Sequence, residues 1–209
     1  MATAVSHKDL VQTTRMFLLS GLLLLSSCMY SLIDEVEGRV LIVYLTRTNN
    51  TEAMARIIKE QVGGDLVEIE LVNPYPEDYQ AHVDQVVEEN NRGFLPPLKT
   101  KINMDDYDVV FVGFPTWGMQ LPPPMKTFLS ENDFSGKRVI PFNTNAGFGV
   151  GSGFRKVKEL CPDAQVLEGL SLEGGYEKQG VFLTIKGERA REVKKEVETW
   201  LQKINIIKE

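Results

Sequence analysis

The 209-residue sequence contains only two cysteines and two histidines. These are the side chains that most often bind transition metals and take part in nucleophilic catalysis. The sequence contains no C-x-x-C pair, which argues against the common zinc and dithiol motifs. No apolar run reaches the roughly 20 residues of a membrane-spanning helix. There is no basic cluster, and the net charge is −6. Because nucleic-acid binding rests on Lys and Arg that neutralise phosphates, we expect no nucleic-acid partner.

The N-terminus has the composition of an export signal. Lys8 and Arg15 precede the apolar stretch MFLLSGLLLL, and the letters LSSC end at Cys28. A basic start, a short apolar stretch and small residues are typical of a secretory signal peptide. The LSSC end resembles a bacterial lipobox, whose cysteine is lipidated and becomes the new N-terminus. We therefore expect a signal peptide at 1–28, a tether at 29–38, and a cell-envelope lipoprotein anchored to a membrane. A plain signal peptide and a retained hydrophobic anchor are the alternatives.

The part after the leader is acidic and has few reactive side chains. Removal of residues 1–27 takes away two basic and one acidic residue, which leaves 21 basic against 28 acidic residues and a net charge of −7. With Cys28 lipidated, Cys161 is the only cysteine left, so an internal disulfide is excluded. His82 is the only remaining histidine, and it is predicted to be a solvated helix residue. A histidine metal site and a Ser-His-Asp triad are therefore not expected.

Beyond the leader, apolar runs alternate with segments of helical spacing. The predicted strands are 39–46, 65–71, 108–114, 137–144 and 164–172, and the predicted helices are 51–62, 77–91, 125–131, 154–160 and 193–204. Three of the strands are apolar throughout, which is typical of strands buried on both faces. The alternation predicts one α/β domain, residues 39–209, in which helices cover both faces of a parallel sheet.

Three loops of unusual composition follow the first, third and fourth predicted strands. In open α/β sheets, ligands bind beyond the carboxyl ends of the strands. The first loop, TRTNNT at 46–51, leads into a helix N-terminus, where free N–H groups and the helix dipole favour an anion. The second, FPTWGMQLPPP at 114–124, places Trp117 where its flat ring can stack on a ligand. The third, NTNAGFGVGSG at 143–153, lets backbone approach a planar ligand, with Phe148 as a second aromatic wall.

Each loop also has an ordinary interpretation. A helix cap accounts for the first loop, a half-buried surface tryptophan for the second, and a flexible turn for the third. The glycines of the third loop do not match the dinucleotide pattern G-x-G-x-x-G, and the loop follows the fourth strand rather than the first. The order of the three loops along the chain is the feature that favours one shared ligand site.

The segments LIVYLTRTNNTEAMARII and YDVVFVGFPTWGMQLPPPMKTFLSENDFSGKRVIPFNTNAGFGVGS closely resemble the flavodoxin family, with its phosphate loop T/S-x-T-G-x-T and its two flavin-contacting regions. The resemblance spans residues 39–203. It implies a flavodoxin-like three-layer sandwich, with a five-stranded parallel sheet of order 2-1-3-4-5, that binds FMN. The cofactor-binding positions that it implies are Thr46, Arg47, Thr48, Asn49, Asn50, Thr51, Pro115, Thr116, Trp117, Gly118, Met119, Asn143, Thr144, Asn145, Ala146, Gly147, Phe148 and Gly149.

The family pattern also implies roles for these positions. The threonines and Asn50 of the first loop, with nearby N–H groups, would hold the FMN phosphate, while Arg47 would be an extra charge that faces solvent. Trp117 would stack on the isoalloxazine ring, and the third loop would approach the other side and edge of that ring. Asn49 stands where the family has glycine. Asparagine is the non-glycine residue that best tolerates a left-handed backbone, so the loop can keep its shape.

These observations favour an FMN-dependent redox protein that passes electrons to a partner protein or a small acceptor. No general base of clear identity is present, which fits an electron carrier at least as well as an enzyme. In an acidic protein the added negative charge of a reduced flavin is disfavoured, so a low reduction potential is expected. An NAD(P)H-dependent quinone or FMN reductase on the same fold is the first alternative. A binding module that has lost the flavin is the second.

Overall fold

Six parallel strands form a single sheet in the computed structural model, which describes residues 38–208. The strands are β1 (Val40–Tyr44), β2 (Asp65–Glu68), β3 (Val109–Pro115), β4 (Arg138–Asn145), β5 (Gln165–Val166) and β6 (Leu170–Glu173). The helices are α1 (Asn50–Val62), α2 (Tyr79–Arg92), α3 (Pro123–Glu131), α4 (Gly153–Leu160) and α5 (Gly187–Lys203). The predicted leader, Cys28 and the tether up to residue 37 lie outside the described residues.

The strand order is β2-β1-β3-β4-β5, which confirms the predicted order of the sheet. The predicted fifth strand, however, is divided into β5 and β6, and both of them pair with β4. Val139 pairs with Val166, whereas Phe142 pairs with Leu170, so two residues of β4 lie opposite three of the neighbouring segment. Pro141 lies in this gap. Because proline has no N–H to donate to a ladder, it accounts for the interruption.

Helices cover both faces of the sheet, as the apolar strands predict. The alternating side chains of β1 supply both layers: Ile42 belongs to the cluster that includes α1 and α5, and Leu41 to the cluster that includes α3 and α4. The predicted apolar stripe of α5 is also confirmed, with Val193, Val197, Trp200 and Leu201 buried. This packing holds the carboxyl ends of β1, β3 and β4 side by side at one edge of the sheet.

The described residues contain no membrane-spanning helix, no metal-binding cluster and no reactive thiol. Within residues 38–208, no helix combines the length and the apolar composition needed to cross a bilayer. The same residues hold no cluster of His, Cys, Asp and Glu that could bind a metal ion. Cys161 is a buried free cysteine, and burial raises the pKa of its thiol to about 12, so the thiol stays protonated at neutral pH.

Candidate functional site

The carboxyl ends of β1, β3 and β4 open into a cleft of about 470 Å³. This volume is in the range of small-molecule and cofactor sites, roughly 300–1,000 Å³. The predicted site residues that line the cleft are Arg47, Thr48, Asn50, Pro115, Thr116, Trp117, Gly118, Met119, Thr144, Asn145, Ala146, Phe148 and Gly149. The predicted site residues outside its lining are Thr46, Asn49, Thr51, Asn143 and Gly147. The structure therefore brings all three loops to one cleft.

The first loop has the backbone shape that a glycine would give it. Asn49 has φ 63° and ψ 5°, a left-handed conformation, and caps α1 without a side-chain hydrogen bond. The helix that follows begins at Asn50, and its first N–H groups have no acceptor within the helix. Thr48 and Asn50, on either side of Asn49, both line the cleft. The cleft thus ends at a helix N-terminus, where unpaired N–H groups and the helix dipole attract an anion.

The side chain of Asn50 ties this loop to a distant segment of the chain. Its Nδ2 donates to Thr48 Oγ1 at 2.9 Å and to the carbonyl oxygen of Phe182 at 2.8 Å. Its Oδ1 accepts from the backbone N–H groups of Thr184 at 2.9 Å and Ile185 at 3.2 Å. The amide is therefore fully occupied by the protein. A role for Asn50 in phosphate binding rests on its backbone N–H.

The threonine hydroxyls of the first loop have different surroundings. Thr51 Oγ1 lies 2.8 Å from Thr144 Oγ1 in a buried pair that joins α1 to β4. Thr46 Oγ1 is buried and has no hydrogen-bond partner among residues 38–208. A buried polar group without a partner costs about 1–3 kcal/mol, so it signals a missing acceptor or donor. The hydroxyl of Thr46 is thus a donor at the start of this loop for which the described residues supply no acceptor.

Arg47 does not face solvent, so that prediction is wrong. It forms a bidentate ion pair with Glu177, with Nε–Oε2 at 2.7 Å and Nη2–Oε1 at 2.8 Å. It also donates to the carbonyl oxygens of Pro76 at 3.1 Å and Glu77 at 2.7 Å. Its side chain is only 17% exposed. The carboxylate comes from a segment 130 residues away in the sequence, so local pattern could not reveal the pair.

The second loop turns sharply and presents its tryptophan to the cleft. The backbones of Trp117 and Gln120 bond to each other, and the two residues between them, Gly118 and Met119, have φ of 56° and 60°. The Trp117 ring is half-buried and meets Tyr75 and His82 at near-perpendicular angles, with centroid distances of 5.3 and 4.4 Å. These two rings support the indole, which also borders the cleft.

The third loop is shaped by two asparagines. Asn145 Oδ1 accepts from the N–H groups of Gly147 and Gly149, both at 2.9 Å, which curls the loop around the amide. Asn143 is fully buried beneath the cleft, where it accepts a hydrogen bond from Ser171 Oγ at 2.8 Å. Phe148 is 65% exposed and meets the ring of Tyr176 edge-on at 5.8 Å. Its exposure leaves one aromatic surface available at the mouth of the cleft.

Two parts of the cleft were not predicted. One is residues 174–178, which follow β6, the strand whose carboxyl end reaches the same edge of the sheet. The sequence signal was the pair Gly174-Gly175: a Cβ at Gly175 would lie 1.8 Å from the carbonyl oxygen of Phe182, so only glycine fits there. The other part is one face of α2, made of Tyr79, His82, Val83, Val86 and Val87. Its spacing of three and four residues was the available signal.

The prediction that His82 is solvated is wrong, because the residue is only 4% exposed. Its Nδ1 lies 3.3 Å from Nη1 of Arg47. Since a guanidinium can only donate, Nδ1 accepts, and the proton of the neutral ring is on Nε2. Burial and the charge of Arg47 lower the pKa of His82 to about 4, so the ring is neutral at pH 7. Nε2 has no hydrogen-bond partner in the described part of the chain.

A smaller hollow of about 330 Å³ lies next to the cleft. Arg47, His82 and Trp117 border both cavities and thus separate them. Thr46 lines the hollow rather than the cleft. The tryptophan loop and the start of the first loop therefore meet at a wall made of an arginine, a histidine and an indole.

A ligand cleft at the carboxyl ends of the central strands, beside a helix N-terminus, is characteristic of doubly wound α/β proteins. A family model described as Flavodoxin matches residues 39–185, and the chain therefore belongs to the flavodoxin family. A structure named as a flavoprotein from Bacteroides eggerthii is 27% identical, with a TM-score of 0.65, over 81% of this chain and 99% of that one.

Two other solved structures share the fold at lower identity. One, also named as a flavoprotein, is from Bacteroides uniformis: it is 24% identical, with a TM-score of 0.60, over 77% of this chain and 98% of that one. The other, a Lactobacillus acidophilus flavoprotein in complex with FMN, is 21% identical, with a TM-score of 0.55, over 64% of this chain and 92% of that one. At these identities the likeness shows the fold alone. A search of curated proteins finds no match.

Proposed function

We propose that this protein binds FMN without a covalent bond in the cleft and acts as a redox protein. The observation that carries the proposal is that a single cleft has the N-terminus of α1 at one end and the Trp117 ring on its wall. The first feature suits a phosphate and the second a flat ring. Membership of the flavodoxin family and the FMN complex of the Lactobacillus acidophilus neighbour support the same ligand.

The phosphate end of the site would work without a free cation. The Arg47 guanidinium is held by Glu177 and by backbone carbonyls, so it is not available as a phosphate ligand. The remaining donors in the cleft are the N–H groups at the start of α1 and the hydroxyl of Thr48. Such neutral donors, aided by the helix dipole, hold a phosphate dianion without adding charge of their own.

The ring end of the site would hold a flavin between aromatic surfaces. Trp117 is held in place by Tyr75 and His82, so its ring offers a fixed stacking surface. Phe148 and Tyr176 line another part of the cleft. Once bound, the flavin supplies the electron storage, and these side chains supply its position and exclude water from its faces.

Titration with FMN tests the proposal, and a Trp117→Ala variant locates the ring. We expect saturable binding by the purified protein, with flavin absorbance that stays with the protein on gel filtration. Loss of one stacking surface costs about 1–3 kcal/mol, so the variant should bind FMN about 5- to 150-fold more weakly. Trp200→Phe is the control, since Trp200 packs on Phe111 in the core, and FMN affinity should be unchanged. Equal affinity of the Trp117→Ala variant and the unchanged protein would contradict the assignment.

The acceptor of the electrons is a partner protein or a small molecule. A carrier is favoured by the shortage of proton-transfer groups, since the one histidine of the cleft has a pKa of about 4 and stays neutral. The face of α2 that lines the cleft, from Tyr79 to Val87, favours the second candidate, an NAD(P)H-dependent reductase of small acceptors, because a pure carrier has no need of an apolar surface there. Steady-state oxidation of NAD(P)H in the presence of a quinone would identify the reductase, and its absence the carrier.

We also propose that the domain is exported and held at a membrane by a lipid on Cys28. The support is the leader composition and the LSSC end, which lie outside the described residues. The expected result is partition into the detergent phase of Triton X-114 and a lipid-modified Cys28 at the mature N-terminus in mass spectrometry. A Cys28→Ser variant should lose both properties. A mature protein that begins at another residue would overturn the lipid anchor.

A further inference from the structure

One face of α2 forms a wall of the cleft, separate from the walls that the three ligand loops form. Tyr79, His82, Val83, Val86 and Val87 follow the spacing of one helical face, and all of them line the cleft. Val86 is buried, whereas Val87 is 49% exposed. We call these five residues the α2 wall. An apolar surface inside a ligand cleft is available to a ligand, because it is already partly shielded from water.

The α2 wall carries two polar atoms that the protein leaves without partners. The Nε2–H group of His82 is buried and has no acceptor among residues 38–208. The hydroxyl of the half-buried Tyr79 is not among the buried unpaired atoms, so it is open to water or to a ligand. An unpaired buried donor such as His82 Nε2–H is costly for the protein and rewards a ligand that supplies an acceptor oxygen. The imidazole is an uncharged donor, since its Nδ1 already accepts from Arg47.

The charges around the cleft disfavour a charged ligand on this wall. The charged side chains in the cleft lining are Arg47, Glu177 and Lys178. Arg47 and Glu177 satisfy each other, and Lys178 is exposed at the mouth. None of the five wall residues is charged, so an ionic group placed against the wall would be desolvated without a partner. The aromatic ring of Tyr79 favours a flat molecule.

We propose that the α2 wall binds a small, flat, uncharged carbonyl compound, whose oxygen accepts from His82 Nε2–H or from the Tyr79 hydroxyl. This site goes beyond FMN binding, because it is built from residues outside the three loops. It assigns the cleft two neighbouring occupants, a cofactor at the loops and a small molecule at the helix.

Benzamide and benzoate test the proposal, because they have the same shape and differ in charge. Calorimetric titration of the FMN-loaded protein should show saturable benzamide binding, with benzoate at least tenfold weaker. The same titrations are repeated on flavin-free protein, so that a failure of FMN binding is detected separately. Absence of benzamide binding in protein that retains FMN would overturn the proposal, and so would tighter binding of benzoate.

A matched pair of variants locates the bound molecule. Val87→Glu puts a carboxylate on the exposed edge of the α2 wall and should weaken benzamide at least tenfold. Val72→Glu is the control, since Val72 is 48% exposed and lines neither cavity, and it should change benzamide affinity less than twofold. Both variants should keep the FMN affinity of the unchanged protein. An equal loss of FMN and benzamide affinity in Val87→Glu would assign the wall to the cofactor and overturn the proposal.

A second set of variants tests the two donors. His82→Gln keeps an N–H group near the position of Nε2 and should retain most benzamide affinity, whereas His82→Phe should lose it severalfold. Tyr79→Phe removes only the hydroxyl, and a loss of benzamide affinity in this variant would show that the hydroxyl also donates to the carbonyl oxygen. Unchanged affinity in both His82→Phe and Tyr79→Phe would contradict the hydrogen-bonding role. Far-ultraviolet circular dichroism of each variant checks that the fold is kept.

Discussion

Asn49 shows how one residue can replace another without loss of the backbone shape. The family pattern has glycine at this position, and here asparagine takes the left-handed conformation with φ 63°. Asparagine pays a smaller steric cost than most side chains in this region. The loop therefore keeps its turn into α1, and the N–H groups at the start of the helix stay at the cleft.

Replacing Asn49 tests whether this backbone shape supports ligand binding. Asn49→Ala should lower the free energy of unfolding by about 1 kcal/mol, because the left-handed conformation is costly for alanine. Asn49→Gly should be neutral or slightly stabilising. Urea unfolding measures both. Asn205, with φ 55° after α5, is the control: Asn205→Ala should lose similar stability without a change in FMN affinity, whereas Asn49→Ala should also weaken FMN. Equal FMN affinity in the two alanine variants would contradict the role of the loop shape.

His82 makes the stability depend on pH. Its pKa in the folded protein is about 4, below the ordinary value near 6.5, because of burial and the charge of Arg47. The unfolded chain therefore binds this proton more readily. Its contribution to stability is complete above pH 6.5 and is lost as the pH falls towards 4. Between pH 7 and pH 5 the loss should be about 2 kcal/mol.

Urea unfolding at a series of pH values measures this effect. His82→Gln removes the titrating ring, so the difference between its profile and that of the unchanged protein isolates His82 from the carboxyl groups. The difference should grow as the pH falls from 6.5 to 5. Parallel profiles over that interval would show that the folded imidazole titrates normally, in contradiction to its burial.

At the scale of elements, the sequence predicts what depends on local periodicity. β1, β3 and β4 are identified by apolar runs, and α1 and α5 by apolar stripes, because burial on known faces leaves a repeat in the sequence. The place of the three loops follows from the strands that they end. The division of β5 from β6 depends on Pro141 in the neighbouring strand, which is a property of pairing rather than of the segment itself.

The parts of the site that the sequence did not predict also depend on pairing and packing between distant segments. The α2 wall and residues 174–178 join the cleft only because of tertiary packing, as does the ion pair of Arg47 with Glu177. The residues next to His82 in the sequence are typical of a solvated helix. His82 is buried because the rings of Tyr75 and Trp117, from other segments, pack against it. The spacing of the α2 wall marks one helical face but not what that face lines, and a single sequence contains no periodic signal for the ion pair or for the burial of His82.

Asn50 links the start of α1 to the loop at residues 182–185, and its replacement should loosen that loop. Asn50→Ala removes the bonds that hold Phe182, Thr184 and Ile185 beside α1. We expect a loss of about 2–3 kcal/mol in unfolding free energy, with faster hydrogen exchange of the amides at 184 and 185. Asn132→Ala, which removes one bond to the carbonyl oxygen of Phe128, is the control and should cost about 1 kcal/mol. Unchanged exchange at 184 and 185 would show that Asn50 does not hold that segment.

At the scale of the whole molecule, negative charge bears on the proposed redox role. The chain has a net charge of −6, and −7 once residues 1–27 are removed. A reduced flavin carries more negative charge than an oxidised one, and the field of an acidic protein opposes that gain.

The reduction potential of bound FMN should therefore lie below that of free FMN. Dithionite titration against a reference dye measures the potential. Because salt screens exposed charges over a Debye length of roughly 10 Å at 0.1 M, the potential should rise as salt is added. A potential at or above that of free FMN, with no response to salt, would show that the net charge does not set it.

Comparison of FMN with riboflavin tests the central claim most directly. The two ligands share the ring and differ in the phosphate, which is assigned to the N-terminus of α1 and the first loop. Calorimetric titration of the purified protein should show one FMN per chain and riboflavin binding at least a hundredfold weaker. Equal affinities would place the phosphate outside the loop, and the absence of saturable FMN binding would contradict the account of the cleft as a flavin site.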